Sequence, residues 1–475
     1  MDKIFRLKEN NVTVGSEIVC GIATCLTMMY ILYVNSSILS TVGMPFHGVF
    51  IATALTAAIC SFIVAFYANL PLAMAPGMGI NAFFVQVICI RMGFHWREAL
   101  AITFISGILH LLIVTNPRLR RSFLNAIPNH LKIAAGAGLG FFIAYEGIKS
   151  AGFLTFASNA GSYIILENDV VLTDSTINPG FVESFNISHI LLLVSLVTMV
   201  VLKMLERKTG DKYAVIPIAI LLATFVGIPL NVTSINSAPI AEVSIYESFT
   251  EVFAGFFGET GLFSLFSDAG TTIKTIFIVL VMTCTGMMNS IATITGVGLI
   301  GKKAIIDKNN LKNIPSSEPM TKYEKAMIAE SFGGVVAPLF GSSAAVSYAE
   351  SAAGVSSGAR TGLTSLTVGI IFLLIIPFIE FSYIIPSEAL AVVLIFVGTS
   401  MLLSIRRINW RKIEEFSPAL LTMTLMPLSY DVFSGLTAGI IVHIVFQLVL
   451  GNWKKINPTL YIIVALFLTY KIIDI

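Results

Sequence analysis

Apolar runs of about 17–25 residues, the length that crosses a bilayer as a helix, recur along this chain from one end to the other. In hydrocarbon every peptide N–H and C=O must find its partner within the protein, which limits such a chain to a helix bundle. The runs predict spans at 15–38, 48–67, 73–91, 98–115, 131–151, 187–205, 213–230, 272–300, 324–342, 345–357, 363–380, 384–404, 416–431 and 433–450. The expected fold class is an all-α polytopic membrane protein with 14 transmembrane segments. The eighth run is too long for one perpendicular crossing and is read as tilted or projecting inward. A last run, Leu460 to Leu468, is short for a crossing and is read as interfacial or packed on the bundle.

Charge tests the count independently, because cytoplasmic loops collect Lys and Arg. With the N-terminus inside, the inner segments hold Lys3, Arg6 and Lys8, then Arg118, Arg120, Arg121 and Lys132, then Lys203, Arg207, Lys208 and Lys212. Farther on they hold Lys302, Lys303, Lys308, Lys312, Lys322, Lys325 and Arg360, then Arg406, Arg407, Arg411, Lys412, Lys454 and Lys455. The outer loops keep Arg91 and Arg97, and their two long members are acidic: Glu167, Asp169, Asp174 and Glu183, then Glu242, Glu247, Glu251, Glu259 and Asp268. One missed span would invert everything downstream, and no inversion is seen. The chain is expected in the cell membrane, multi-pass, with both termini cytoplasmic.

Seven spans end near Leu230 and seven begin near Thr272. An odd number per half turns the second half upside down, giving a 7+7 inverted repeat. The expected segments are a polar cytoplasmic leader at 1–14, a first repeat at 15–230, an outer linker at 231–271, a second repeat at 272–450 and a tail at 451–475. Within the linker, 249–266 alternates aromatic and acidic residues and is expected along the outer surface. The interrupted spans are the third of each half, spans 3 and 10. Gly/Pro-broken segments at matching positions are the best sequence pointer to a transport site.

Span 3 carries Pro76-Gly77-Met78-Gly79 followed by Asn81, Phe83 and Phe84. It reads as an extended piece and then a helix start, with Asn81 at the cap or in the first turn. Span 10 is packed with Gly, Ala and Ser and holds one carboxylate, Glu350; its helix is expected to start after Ser342-Ser343. An ionisable side chain at membrane depth marks a substrate or proton path by default. Glu350 is therefore the expected centre of a site in which two half-helices hold a flat hydrogen-bonding ligand. Each assignment has a plainer reading: Asn81 as a cap, Glu350 as a structural carboxylate, Phe83 and Phe84 as core or lipid-facing rings.

The near-neutral formal charge of +2, with no basic patch interleaved with aromatics, argues against a nucleic-acid partner. The five cysteines, Cys20, Cys25, Cys60, Cys89 and Cys284, form no CxxC pair or Cys/His cluster, so neither disulfide nor metal is implied. No nucleophile–base set supports an enzyme.

The stretches Ala75-Pro76-Gly77-Met78-Gly79-Ile80-Asn81-Ala82-Phe83-Phe84 and Tyr348-Ala349-Glu350-Ser351-Ala352-Ala353-Gly354-Val355, with Gly358-Ala359-Arg360-Thr361-Gly362-Leu363-Thr364, resemble the nucleobase–cation symporter family. The likeness is to its adenine/guanine/hypoxanthine permease branch. Phe5 to Asn10, Thr24 to Ile31 and Met426 to Tyr430 add to it, so the similarity spans nearly the whole chain. The resemblance implies a core domain of spans 1–4 and 8–11 moving against a gate domain of spans 5–7 and 12–14, in elevator-type alternating access. It implies proton-coupled purine uptake with no other cofactor, a lipid environment, and a homodimer in many members. Its substrate contacts map onto Asn81 and Glu350, with Gly79, Phe83 and Ser351 beside them in the motifs.

One part departs from the family. Span 8 there reads close to D-x-x-D-T-x-G-T, whereas this chain has Gly286-Met287-Met288-Asn289-Ser290-Ile291-Ala292-Thr293. Asn289 still bonds a base but binds no coupling proton. Glu350 and Glu330 are the coupling candidates, Glu330 standing equally as an internal polar contact; Glu146 is read as pairing with Lys149 at i+3. The alternatives are an uncoupled exchanger, an anion carrier of the same fold, which Glu350 argues against by repulsion, and a sensor that binds without transport.

Overall fold

Several helix starts in this chain are set by side-chain caps. Thr13 accepts from the Ser16 N–H, Asp268 from the Thr271 N–H, and His95/Glu98 and Thr321/Glu324 each close a reciprocal capping box. The computed structural model describes residues 2–473 apart from 151, 153, 159–162, 167–168, 173–176, 182–185, 210–214, 231, 233–244, 259, 301–319, 379–386 and 430. The loop charges Glu167, Asp174, Glu183, Lys212, Glu242, Glu259, Lys302, Lys303, Lys308 and Lys312 lie outside the described residues.

The first part runs α1 (Asp2–Phe5), α2 (Val14–Met28), α3 (Tyr30–Ser40), α4 (Phe46–Ile63), β1 (Met74–Pro76), α5 (Met78–Ala82), α6 (Trp96–Thr115), α7 (Pro117–Ala126) and α8 (Asn129–Ser150). Then come β2 (Leu154–Ser158), β3 (Tyr163–Leu166), β4 (Asp169–Leu172), β5 (Ile177–Phe181), α9 (Ile187–Thr209), α10 (Val215–Gly227) and α11 (Ile245–Val252). The rest is α12 (Ala269–Gly298), α13 (Lys322–Ser331), α14 (Gly333–Phe340), β6 (Ala345–Ser347), α15 (Ser351–Ser357), α16 (Gly362–Ile375), α17 (Ser387–Leu402), α18 (Ile413–Ser429), α19 (Val432–Val449) and α20 (Pro458–Ile473). Among the described residues six helical stretches are long and apolar enough to cross a membrane: Val14–Ser40, Phe46–Ala68, Trp96–Thr115, Asn129–Lys149, Ala269–Gly298 and Val432–Val449.

The helices pack as two groups. One gathers α2, α3, α4, α6 and α13–α16; the other gathers α8, α9, α10, α17, α18 and α19. The long α12 touches both, lying against α6 on one side and α8 on the other, and from Thr275 onwards most of it is buried. It runs through the interior, as its length suggested.

Four expectations are corrected. The fold is mostly helical but not all-α: β1 pairs antiparallel with β6, β2 with β5 and β3 with β4. The span-10 helix starts at Ser351, not after Ser342-Ser343, because Ala345–Ser347 is drawn out to pair with β1. The leader is not simply polar: Phe5 and Leu7 are buried with Ala65 and Leu363, and the Asn69 amide donates to the Phe5 carbonyl at 3.1 Å. The aromatic stretch at 249–266 does not merely lie along a surface. Phe256 and Leu265 are fully buried, and the Ala254 N–H donates to the Leu339 carbonyl at 2.8 Å. Phe253, Phe257, Phe263 and Phe266 stay about half exposed or more, so the stretch lies on the surface and is anchored there by Phe256 and Leu265.

Candidate substrate site at a strand crossing

The two broken spans meet each other. β1 and β6 run antiparallel with Met74 opposite Ser347, Ala75 opposite Val346 and Pro76 opposite Ala345. The Tyr348 N–H donates to the Ala73 carbonyl at 2.8 Å and the Gly77 N–H to the Ala344 carbonyl at 3.2 Å. Each extended piece thus supplies the backbone partners the other lost by leaving the helix, which permits non-helical chain inside a membrane protein. Side chains fasten the crossing. The Tyr348 hydroxyl donates to the Pro76 carbonyl at 2.8 Å, and Ser351 Oγ accepts from the Ala73 N–H at 2.9 Å. A Cβ on Gly333 would collide with the Ala345 carbonyl, so that glycine is what lets β6 lie this close to α14.

A cavity of about 80 Å³ opens at the crossing, between the two helix groups. Tyr30 of α3, Gly79 of α5, Asn289 of α12 and Glu350 line it from one side; Glu146 of α8 and Asp431 at the start of α19 line it from the other. Glu350 is 5% exposed and accepts a hydrogen bond of 2.6 Å from the Tyr30 hydroxyl. It stands immediately before α15, where the chain leaves β6. No lysine, arginine or histidine is among the described residues lining this cavity. The wall offers carboxylates, hydroxyls and an amide, and so favours a ligand rich in N–H donors over an anion.

The structure brings Glu350, Asn289 and Gly79 together on this cavity. It places Asn81, Phe83 and Ser351 elsewhere. Asn81 is not a cap: Gly77 holds that position, and the Asn81 N–H closes the first helical hydrogen bond of α5 onto the Gly77 carbonyl at 2.8 Å. Its side chain is fully buried behind the wall, the amide oxygen accepting from the Ser343 hydroxyl. Phe83 packs into the apolar core, and Ser351 is spent on β1. Glu330 lies on a second, smaller cavity with His110 and Gly286.

Sequence reasoning did not single out Tyr30, Tyr348 and Asp431 as lining residues, and Glu146, read there as a partner of Lys149, also lines the cavity. Tyr30 sat within the Thr24–Ile31 motif, the one signal that pointed to it. Two buried acids are structural. Glu17 accepts from the Arg360 N–H at 2.8 Å and from the Thr361 and Thr364 hydroxyls at 2.8 and 2.7 Å, tying α2 to the start of α16. Glu324 pairs with Arg120 and Arg121, each at 2.9 Å.

A family model described as "Permease family" matches residues 15–437. The adenine permease AdeP of Escherichia coli (strain K12) is 32% identical over 479 residues, spanning 100% of this chain and 96% of that protein. The guanine/hypoxanthine permease PbuO of Bacillus subtilis (strain 168) is 30% identical, spanning 98% of each. Among solved structures, the transmembrane domain of the cyanobacterium bicarbonate transporter BicA superposes with a TM-score of 0.51 at 15% identity, covering 90% of this chain and 97% of that one. At that identity the likeness concerns the fold.

Proposed function

The chain belongs to the Permease family, and from that premise we propose that it carries purine nucleobases across the cell membrane. A permease returns its substrate unchanged, so the chain is not an enzyme. The observation that carries the reading is the Glu350 carboxylate, held by Tyr30 and facing a cavity whose described lining has no cationic side chain. A purine presents N–H donors along one edge; Glu350 accepts them, Asn289 reads a neighbouring donor or acceptor, and the backbone at Gly79 closes over the ring. The names of the adenine and guanine/hypoxanthine permeases it resembles support this substrate class. The likeness to a bicarbonate transporter is one of fold alone, and a buried carboxylate repels an anion.

Fourteen crossings in a 7+7 inverted repeat, with a core domain moving against a gate domain, is the arrangement this function asks for. The two packing groups meeting across the cavity support it, since sliding one past the other opens the cavity to alternate sides. The test is uptake into proteoliposomes of labelled adenine, hypoxanthine, guanine and bicarbonate, alongside a thermal-shift screen. A base is expected to bind and accumulate. Bicarbonate uptake with no response to any base would replace this reading with the anion carrier.

A further inference from the structure

Behind the strand crossing lies a second cavity, lined by Ser106, Gly107 and His110 of α6, Gly286 of α12, Glu330 of α13 and Ala345 of β6, with Ile80 and Val346 shared with the substrate cavity. Its volume is about 20 Å³, room for one water and far too little for a purine. The polar groups around it are unusual for a packed interior. Glu330 is 1% exposed, and the side chains of Ser347, Ser290 and Asn289 stand around its carboxylate, yet neither carboxylate oxygen has a hydrogen-bonding partner of normal geometry. His110 Nε2, Ser290 Oγ and Ser347 Oγ are likewise buried and unpartnered. Leaving such a group unmet in a packed interior is costly, and more so for a charge. Glu17 and Glu324 show what this protein does with a buried acid that only holds structure: every oxygen is engaged.

We propose that this cavity is a proton-binding site, in which Glu330 and His110 share one proton through a single trapped water. The inference rests on the nucleobase-transport reading for its use but not for its existence. A proton suits the donor set better than a metal ion, because imidazole nitrogen is a poor ligand for hard alkali cations and a good proton acceptor. His110 also stands against the altered part of span 8. A Cβ on Gly286 would lie 3.3 Å from His110 Nδ1, so the imidazole stands in tight contact with the position where the resembled family carries an acid. Among the described residues, His110 of α6 shares this cavity with Glu330 and Tyr323 interacts with it from its own helix, while α12 and β6 contribute Ser290, Asn289 and Ser347.

The site connects to the substrate through those same neighbours, since Asn289 and Ser347 also line the larger cavity. An ionised Glu330 recruits the Asn289 amide and the Ser347 hydroxyl as donors and turns them away from the ligand. Protonation releases both to the base. Proton and base then bind together, which is the thermodynamic content of coupling.

Two measurements test this in the full-length protein. In sodium-free proteoliposomes an inward proton gradient is expected to drive uphill adenine accumulation by the wild type. Glu330→Gln and His110→Gln should each lose that accumulation at least tenfold while keeping adenine counterflow, which also shows that they are folded. Independently of transport, the 13C-labelled His110 imidazole is titrated by NMR in wild type and Glu330→Gln. Its midpoint should fall by about one pH unit or more when the partner carboxylate is removed. Absence of counterflow in the wild type would count against the nucleobase reading, leaving the imidazole titration to decide the proton site. Gradient-driven accumulation that survives in Glu330→Gln, accumulation that needs sodium, or a His110 midpoint indifferent to Glu330 would each overturn the proposal.

Discussion

Glu330, on α13, and Glu350, at the junction of β6 and α15, stand in one half of the chain, both nearly inaccessible, and they differ in what surrounds them. Glu350 has a tyrosine donor at 2.6 Å and a cavity of about 80 Å³ in front of it. Glu330 has no aligned donor and a cavity of about 20 Å³. One acid is oriented and faces a space a molecule can share; the other is left unmet in a space for one water. The contrast teaches that burial alone does not assign a role to an acid in a membrane protein. The number of engaged oxygens and the volume beside them do.

The comparison breaks first at Glu350. Glu350→Gln keeps size and one acceptor but offers an N–H where a purine donor expects an oxygen, so base affinity should drop by about 3 kcal/mol, a hundredfold or more. Scintillation-proximity binding of labelled adenine to purified protein checks it, and an affinity within threefold of wild type would remove Glu350 as the anchor. Next comes its donor. Tyr30→Phe leaves the carboxylate free to turn away, and affinity should fall by about 1–2 kcal/mol, five- to thirtyfold. Normal affinity in that variant would show that the carboxylate is positioned by the backbone alone.

A subtler probe lies between the two acids. Asn289→Asp adds a carboxylate on the wall of the larger cavity and beside Glu330. Like-charge repulsion makes the protonated forms easier to keep, so base binding should weaken more steeply than in wild type as pH rises, by about tenfold across the titration. A pH profile superimposable on that of the wild type would mean that residue 289 is electrically remote from both acids. The smallest effect is expected at Asn81. Asn81→Ala removes the acceptor of the Ser343 hydroxyl and should lower stability by about 1 kcal/mol. Affinity should stay within about threefold, since the side chain is not on the cavity wall. A tenfold loss of affinity without a change in melting temperature would put the amide at the ligand after all.

Much of this was legible in the residues. Hydrocarbon length and helix geometry place helices wherever the apolar runs stand, and each predicted run holds helical chain. Gly and Pro mark the two breaks, and a lone carboxylate in a stretch of small residues marks Glu350, because neither pattern has a use on a lipid-facing helix. Those signals are local, and local chemistry suffices to produce them. Which break pairs with which, and in what register, was decided only by the fold, since β1 and β6 lie more than 260 residues apart and each is too short to announce itself as a strand. The same holds for the partners of the acids. Nothing near Glu324 in sequence predicts Arg120 and Arg121, nothing near Glu350 predicts Tyr30, and nothing near Gly286 predicts the ring of His110. Sequence determined which groups are expensive to bury; the tertiary structure decided which were met by a distant partner and which were left open, because that depends on contacts between helices far apart along the chain.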